Sequence, residues 1–563
     1  MIYHCEDHTC NYWDEGEKLP ERCPQCGRKL LRANEADMTG DDWTALGNTL
    51  WDAEASDKKR MVDCFRKAAY LGSAWGVCNL GICMEQGNGV EADPVQAFWL
   101  YQQAVEMGSL NAVCCLGVCY QYGIGTAPDA KQAAELYCKA AEYGSPRGQM
   151  LLARAFHDGI GVEADAAEAV YWVRAAAYQR YGEGMYWLGV CYEYGDGVEQ
   201  NWERAVHWFR EAAESGVGVA MTDLGYCYEK GCGVEQNWQE AIKWYEQGAQ
   251  CGDLQSMHNL ACCYEGGEGV EQNEDRAFYW YRRSAEGGNG SAMCNLGRCY
   301  KRGYGVEQNW QEAVKWYEQG AQCGNLQSMH NLACCYEHGE GVEQNMTEAI
   351  RWYTAAAEGG NADDMYELGW QYDHGEGVEQ DMKKAICWYE RAAEQNHPAA
   401  MNSLGECYAM GRGVPRDLET AMEWYRRAAE LGEAMADYNM GWHLEQAGKL
   451  SEAYTHYRKA ADGNDDSAWW ALGRFYENGV VVAQDGKEAR RCYETGEKLG
   501  SVKCKMRLAR CKLLGIGGRR AKKAGLDLCR QALELAKESS EKEDYGYEAE
   551  MNLLRRTIAE NES

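Results

Sequence analysis

The chain has 563 residues and a net charge of −31, from 88 acidic and 57 basic side chains. It is too long for one compact core, so it holds several domains or a repeat array. The charge disfavours nucleic acid and anionic membranes and favours a basic partner. We expect no membrane-spanning segment, since no run of about 18 apolar residues is present. The N-terminus lacks the pattern of a signal peptide, so we expect a cytoplasmic protein whose thiols stay reduced.

The first 36 residues are predicted to form a small metal module. Cys5 and Cys10 are followed by a "CPQCG" stretch that contains Cys23 and Cys26. This stretch resembles the knuckles of zinc ribbons and rubredoxins, and four thiolates form a closed tetrahedral Zn²⁺ site. A segment this short needs such a staple to fold, so we expect zinc in a structural role.

Three alternatives for this module stay open. The spacing between Cys5 and Cys10 is wider than usual, so His4 or His8 could replace a cysteine ligand. Iron could occupy a rubredoxin-like site in place of zinc. The cysteines could also be ordinary free thiols.

The next segment, residues 40–535, is periodic. A Leu-Gly, Leu-Ala or Met-Gly pair recurs every 36 residues from Leu80 to Met440, and similar pairs extend the array in both directions. This gives about fourteen units. One unit cannot bury its apolar face alone but stacked neighbours can, so the period predicts an all-α helical-repeat solenoid. Residues 536–563 are polar and are predicted to form a capping helix and tail.

The unit around Leu224 illustrates the predicted local structure. Apolar residues follow a helical period, and Gly231 ends this first helix. Asn237 then begins the second helix as its N-cap. An Asp or Asn stands at this position in ten consecutive units, and Glu240, Glu312 and Glu348 are expected to complete capping boxes. The unit at Met440 lacks the glycine loop and is expected to differ locally.

Two further columns follow the same period. Tryptophans recur from Trp172 to Trp424 and are predicted to pack in the core between units. Cysteines recur three residues after the anchor, as at Cys227, and are predicted to be small buried hydrophobes.

The pattern "A…LG.CY..G.GVEQN...A..WY..AAE.G" resembles the SEL-one-like repeat, a tetratricopeptide-related family. The resemblance covers roughly residues 40–535. It implies a right-handed superhelix whose concave groove binds proteins or peptides. By analogy with tetratricopeptide repeats, the groove residues lie two before and two, five and six after the anchor. That register selects Tyr186, Tyr194, Tyr226, His258, Arg298, Lys301, Arg302, His330, Tyr366, Trp370 and His374.

Within this groove set, Arg298, Lys301 and Arg302 are expected to form a basic spot. His258 and His330 occupy one slot in two nearly identical copies, residues 234–263 and 306–335, which suits an extended or repetitive ligand. We expect no metal at these histidines, because no Glu or Cys companion is evident at ligand spacing within a unit.

The sequence therefore predicts a non-catalytic scaffold that binds a protein or peptide, and it does not indicate the oligomeric state. One alternative is an enzyme of the β-lactamase-like type, which some cysteine-rich relatives suggest. The absence of an evident helix-to-helix cysteine pairing weakens that alternative. A second alternative is a nucleic-acid-binding zinc ribbon with a helical-repeat tail.

Overall fold

The computed structural model describes residues 2–5, 13–15, 30–33, 35–51, 55–542 and 548–562. Three short strands, β1 (Ile2–Cys5), β2 (Trp13–Glu15) and β3 (Leu30–Ala33), form an antiparallel sheet in the order β2-β1-β3. A 3-10 turn at Glu35–Asp37 precedes the first helix. The rest of the described chain is helical, so the predicted all-α class is confirmed outside this sheet.

Twenty-nine α-helices follow one another in the described residues. Their bounds are α1 (Gly40–Thr49), α2 (Ala55–Tyr70), α3 (Ala74–Gln86), α4 (Pro94–Glu106), α5 (Leu110–Tyr122), α6 (Ala130–Glu142), α7 (Pro146–Asp158), α8 (Ala166–Tyr178), α9 (Gly182–Tyr194), α10 (Trp202–Glu214), α11 (Gly218–Lys230), α12 (Trp238–Gln250), α13 (Leu254–Gly266), α14 (Glu274–Glu286), α15 (Gly290–Arg302), α16 (Trp310–Gln322), α17 (Leu326–His338), α18 (Met346–Glu358), α19 (Ala362–His374), α20 (Met382–Glu394), α21 (Pro398–Met410), α22 (Leu418–Glu430), α23 (Ala434–Gln446), α24 (Leu450–Asp462), α25 (Asp466–Asn478), α26 (Gly486–Lys498), α27 (Val502–Leu514), α28 (Lys522–Lys542) and α29 (Glu548–Glu562).

The helices α1 to α28 form fourteen successive helix pairs, as the period predicts. We call the odd-numbered helix of each pair the A helix and the even-numbered one the B helix. In most repeats the B helix packs on its own A helix and on the A helix that follows. α29 packs on α27 and α28, and the predicted boundary after residue 535 falls inside α28.

The chain divides into two compact units. The first unit comprises Met1–Ala292 with Tyr304–Val306, and the second comprises Met293–Gly303 with Glu307–Ser563. Each unit is a stack of A and B helices around its own apolar clusters. No helix among the described residues is both long and apolar enough to cross a membrane.

The predicted N-cap column is confirmed, whereas the predicted capping boxes are wrong. In all ten units the Asp or Asn side chain accepts a backbone N–H from the first turn of its B helix, as Asn237 does from Glu240 at 3.2 Å. The carboxylates of Glu240, Glu312 and Glu348 do not reach back to the cap. Each pairs instead with a basic side chain three residues further along the helix exterior.

Glycines close the loop between the two helices of a unit. Gly231 ends α11 in the left-handed conformation with φ 75°. Gly233, with φ 69°, lies so close to the preceding unit that a Cβ there would stand 2.4 Å from the carbonyl oxygen of Trp202. Glycine meets both requirements without steric cost, which explains the recurring "G.G" spacing, although Val481 takes the second position in one repeat with φ 64°. As predicted, α23 lacks this loop, and only residues 447–449 separate it from α24.

A column of buried tyrosines forms the centre of the core. Each stands directly after the B-helix tryptophan position, and Tyr245 is a fully buried example with 0% exposure. The helical glycine of the anchor makes room for this ring, since a Cβ on Gly225 would lie 2.6 Å from Tyr245. The tryptophans are half-buried and pack on the outside of this core. At the anchor glycine, the close neighbour is therefore an aromatic ring of the B helix.

The A-helix cysteines are buried, as predicted. Cys227 is 1% exposed, and burial raises the pKa of its thiol to about 12, so it behaves as a small apolar residue. All cysteines whose side chains the structure describes are free thiols.

Candidate functional site

Within each of the two compact units, polar side chains link the A helices of successive repeats into a common face. Offsets of 29 to 37 residues separate the partners, so each link joins one A helix to the next. The links include Asn79 to Asn48 at 2.8 Å, Thr222 to Ser256 at 2.5 Å, His330 to Asp364 at 2.7 Å and Asn439 to Asn402 at 3.0 Å. The A-helix face is therefore polar and laterally connected, and it holds all the predicted groove residues.

The predicted groove residues differ in exposure. Tyr194, Tyr226, Arg302 and His374 are exposed, and Tyr194 has the largest exposed fraction among the three predicted groove tyrosines of the first compact unit, at 74%. The others are half-buried: Tyr186, His258, Arg298, Lys301, His330, Tyr366 and Trp370. Exposure alone therefore singles out four of the eleven as surfaces for a partner.

Several half-buried members are held by neighbours. Tyr366 stacks on His397 with ring centroids 5.0 Å apart, and Trp370 stacks on His374 at 4.4 Å. The Lys301 ammonium lies 3.7 Å from the Glu340 carboxylate and 4.9 Å from the centre of the Trp310 ring. Lys301 thus links α15 to the start of α16 and to the loop between α17 and α18, which reduces its share in the predicted basic spot.

Tyr186 packs against its own B helix, since its ring lies 5.9 Å from the ring of Phe209 on α10, and its charged neighbour is Asp223 of α11. Burial first, and then Asp223, raise the pKa of Tyr186 well above its usual range. This tyrosine is a packing residue as much as a surface residue.

This face also holds a mainly apolar cavity of about 670 Å³ among α7, α8 and α9 in the first compact unit. It lies where the aromatic core column is interrupted. The repeats before and after have Tyr137 and Phe209 in this column, whereas the repeat formed by α7 and α8 has Val173. Valine fills much less volume than tyrosine, so the missing ring leaves space beneath the surface.

The cavity wall is mainly apolar, and its mouth is polar. Arg154, His157, Asp158 and Asp196 surround the mouth. The apolar wall is formed by Met150, Ala153, Ala169, Val170, Val173, Trp187, Val190, Cys191 and the ring of Tyr194. An apolar cavity with a few polar groups at its rim is the usual form of a site for a small ligand or a side chain.

The charges at the mouth are organised around His157. In most neighbouring repeats a Glu or Gln at this position accepts a hydrogen bond from the hydroxyl of the core tyrosine, as Glu229 does from Tyr245 at 2.8 Å. Without that tyrosine, the His157 ring contacts Asp158 at 2.6 Å and Asp196 at 3.3 Å. The hydrogen bond to Asp158 is the main cause that raises the pKa of His157. The two carboxylates at the mouth thus favour the protonated form of the His157 ring over the neutral form.

Sequence reasoning selected Tyr194 but missed the rest of this cavity. The signal was present, because Val173 breaks a column that is otherwise Tyr or Phe from Phe65 to Tyr493. The prediction that His258 and His330 lack a cysteine companion is wrong. Cys262 and Cys334 stand four residues further along their helices, each with its Sγ 3.6 Å from the histidine Nε2.

The predicted zinc ligands are not placed by the structure. Cys10, Cys23, Cys26 and His8 lie outside the described residues. Cys5 ends β1 and pairs with Leu30 of β3 in the backbone register, but its side chain is not described. Among the described residues, no group of three or more His, Cys, Asp or Glu side chains could hold a metal ion.

Comparison with known protein families places this architecture. A model of the Sel1 repeat matches twelve consecutive segments between residues 76 and 501. The chain belongs to the Sel1 repeat family. The matched segments, 76–109, 112–145, 146–181, 182–217, 218–253, 254–289, 290–325, 326–361, 362–397, 398–433, 434–465 and 468–501, include the cavity and both histidine copies.

Two solved structures are similar to this Sel1 repeat protein. One is a protective antigen present in uropathogenic Escherichia coli strains, described as having the same repeat fold. It is 29% identical, with 76% of this chain and 94% of that chain covered and a TM-score of 0.56. The other is a Sel1 repeat protein from Oxalobacter formigenes, 31% identical over 43% of this chain and 96% of that chain, with a TM-score of 0.40. A search of curated proteins found no match.

Proposed function

We propose that this Sel1 repeat protein is a non-catalytic scaffold that binds a protein segment on its A-helix face, with one apolar side chain of the partner in the α7–α9 cavity. The observation behind this proposal is the missing core ring at Val173. Burying a leucine- or phenylalanine-sized side chain there contributes about 1.5–3 kcal/mol, which is the scale of a binding hot spot.

The charges favour a partner with basic residues beside its apolar anchor. Asp158 and Asp196 stand at the mouth, and the chain has a net charge of −31. The long-range attraction between this negative charge and a basic segment raises the rate at which the two associate. The exposed Tyr194 ring and the half-buried Tyr186 on the same helix extend the surface for such a segment.

Filling the cavity tests the proposal. Val173→Phe places a ring opposite Ala153, a combination that Tyr353 and Ala333 already show in the second compact unit, so the fold should be preserved while the cavity is closed. Peptides are selected from a random displayed library on the wild-type chain, and their affinities are then measured by calorimetry. We expect selected peptides to share a bulky apolar residue and to bind Val173→Phe at least about tenfold more weakly, since tenfold corresponds to about 1.4 kcal/mol.

Phe209→Tyr is the matched control, because it changes a core ring in the next repeat, and Phe209 does not line the cavity. Its affinity for the same peptides should equal that of the wild type. Unchanged binding by Val173→Phe, with its thermal transition preserved, would rule out the cavity as the anchor site.

We also propose a structural Zn²⁺ held by Cys5, Cys10, Cys23 and Cys26. The cysteine spacing and the position of Cys5 at the end of β1 support it. Zinc there would tie the ends of the small sheet together. We expect about one zinc ion per purified chain by elemental analysis, from four-thiolate coordination. Cys23→Ser with Cys26→Ser should remove it and the exposed-site control Cys251→Ser should not; retention in the double variant contradicts the assignment.

A further inference from the structure

The two copies of the duplicated segment place the same four side chains together. In the first copy His258, Cys262, Tyr281 and Glu265 form a chain of contacts, and in the second copy His330, Cys334, Tyr353 and Glu337 do so. The distance from Sγ to the histidine Nε2 is 3.6 Å in both. The tyrosine hydroxyl is 3.3 Å from Cys262 and 3.4 Å from Cys334.

In the second copy the chain of contacts has a fifth member. The Nδ1 atom of His330 lies 2.7 Å from Oδ1 of Asp364, which is on the next A helix. Seventy-two residues earlier, the corresponding position is Ala292. Asp364 is 0% exposed and stands in a column that otherwise holds small residues, such as Ser328 and Ala400. A buried carboxylate in that column is costly unless it is paired, and His330 is its partner.

This pairing keeps a cation beside the thiol. Hydrogen bonds to Asp364 and Cys334 raise the pKa of His330 to about 10. The ring is therefore protonated at neutral pH, with Nδ1–H donating to Asp364 and Nε2–H facing the sulfur. An adjacent imidazolium stabilises the thiolate, which is the nucleophilic form of cysteine. In the second copy, thiol, imidazole and carboxylate therefore form one continuous line of contacts.

The surroundings are acidic. Glu337 belongs to the same helix as Cys334, while Asp363 and Glu367 are contributed by α19. Burial, together with Glu337, raises the pKa of Glu367. His338 is exposed and directs Nδ1 to the Cys334 carbonyl at 3.0 Å. A cationic reagent is therefore attracted to this thiol and an anionic one is repelled.

We propose that Cys334 is a thiol-modification site that exchanges with small disulfides, preferentially cationic ones. The Cys334 thiolate attacks one sulfur of the disulfide, and the S–S bond breaks. A mixed disulfide forms at Cys334, and the displaced half leaves as a thiolate that takes up a proton. The protein thiol is oxidised and the added disulfide is reduced, so no other oxidant is required.

The test uses the full chain and two probes, cystamine and oxidised glutathione. Rates of mixed-disulfide formation are measured at each cysteine by mass spectrometry after acid quenching. Cys262 is the internal reference, because it has the same histidine distance and is more exposed than Cys334. We expect Cys334 to react faster with cystamine than Cys262 does, the reverse of their accessibility, and to prefer cystamine to glutathione disulfide.

Asp364→Asn should lower the ratio of Cys334 to Cys262 rates about tenfold near pH 8, because the His330 ring then loses the carboxylate that keeps it protonated at that pH. Circular dichroism verifies that this variant is folded. A ratio that Asp364→Asn leaves unchanged, or a Cys262 that reacts with cystamine before Cys334 does, overturns the proposal.

Discussion

Tyr245→Ala should lower the free energy of unfolding of its repeat by about 3–5 kcal/mol, the range for removing a fully buried aromatic ring. The ring is 0% exposed, fills the space opposite Gly225 and donates its hydroxyl to Glu229 at 2.8 Å. Truncation leaves a cavity and removes that hydrogen bond. Hydrogen exchange of α11 and α12, followed by mass spectrometry, measures the loss locally, because a repeat array need not unfold in one step.

The adjacent residue is the matched control. Trp244→Ala removes a larger side chain, but one that is half-buried on the outer side of α12, so it should cost only about 1–2 kcal/mol. Tyr245→Phe should cost about 1 kcal/mol through the lost hydrogen bond alone. A larger loss for Trp244→Ala than for Tyr245→Ala would show that the tryptophan column forms the core.

Glu477→Gln should destabilise the C-terminal end of the second unit by about 3–5 kcal/mol, as expected when a buried charge loses its partner. The Glu477 carboxylate bonds Arg510 and contacts Arg507 at 3.4 Å, and it also accepts the Tyr493 hydroxyl at 2.8 Å. Arg507 in turn contacts Glu550 of α29 at 2.7 Å. The neutral amide would leave two shielded guanidinium groups with too little negative charge.

Asp462→Asn is the control for this network, because Asp462 forms an exposed ion pair with Arg458 at 4.0 Å. Such surface pairs contribute about 0–1 kcal/mol. Thermal denaturation and hydrogen exchange of α25, α27 and α29 compare the two variants. Equal transitions for both would mean that the network does not anchor α29.

The sequence predicts the helices of this chain well because its period repeats the same local signals. An Asp or Asn cap and a glycine stop determine each helix end locally, so no distant contact is needed to recognise them. The choice between the two aromatics of "WY" is harder. Ala241, Tyr245 and Ala249 share one helical stripe with a spacing of four, and that stripe indicates which ring faces the core.

The candidate sites depend on contacts between neighbouring repeats, which the sequence motif of a single repeat does not show. The cavity depends on a residue that is absent, since Val173 is unremarkable until the other rings are aligned with it. Cys334 and His330 can be paired from their spacing of four, but Asp364 belongs to the next repeat, 34 residues after His330. The capping boxes were predicted from spacing alone, and basic neighbours such as Lys243 compete for those carboxylates.

Every closely packed helix pair among the described residues lies within two helices along the chain. A helix pair therefore needs only the next A helix to cover its apolar side. During synthesis on a ribosome, each repeat can acquire its packing partners soon after it emerges, before the C-terminal residues have been made. A chain of this length can thus fold as it grows, with only its most recently made repeat exposing an unfinished surface.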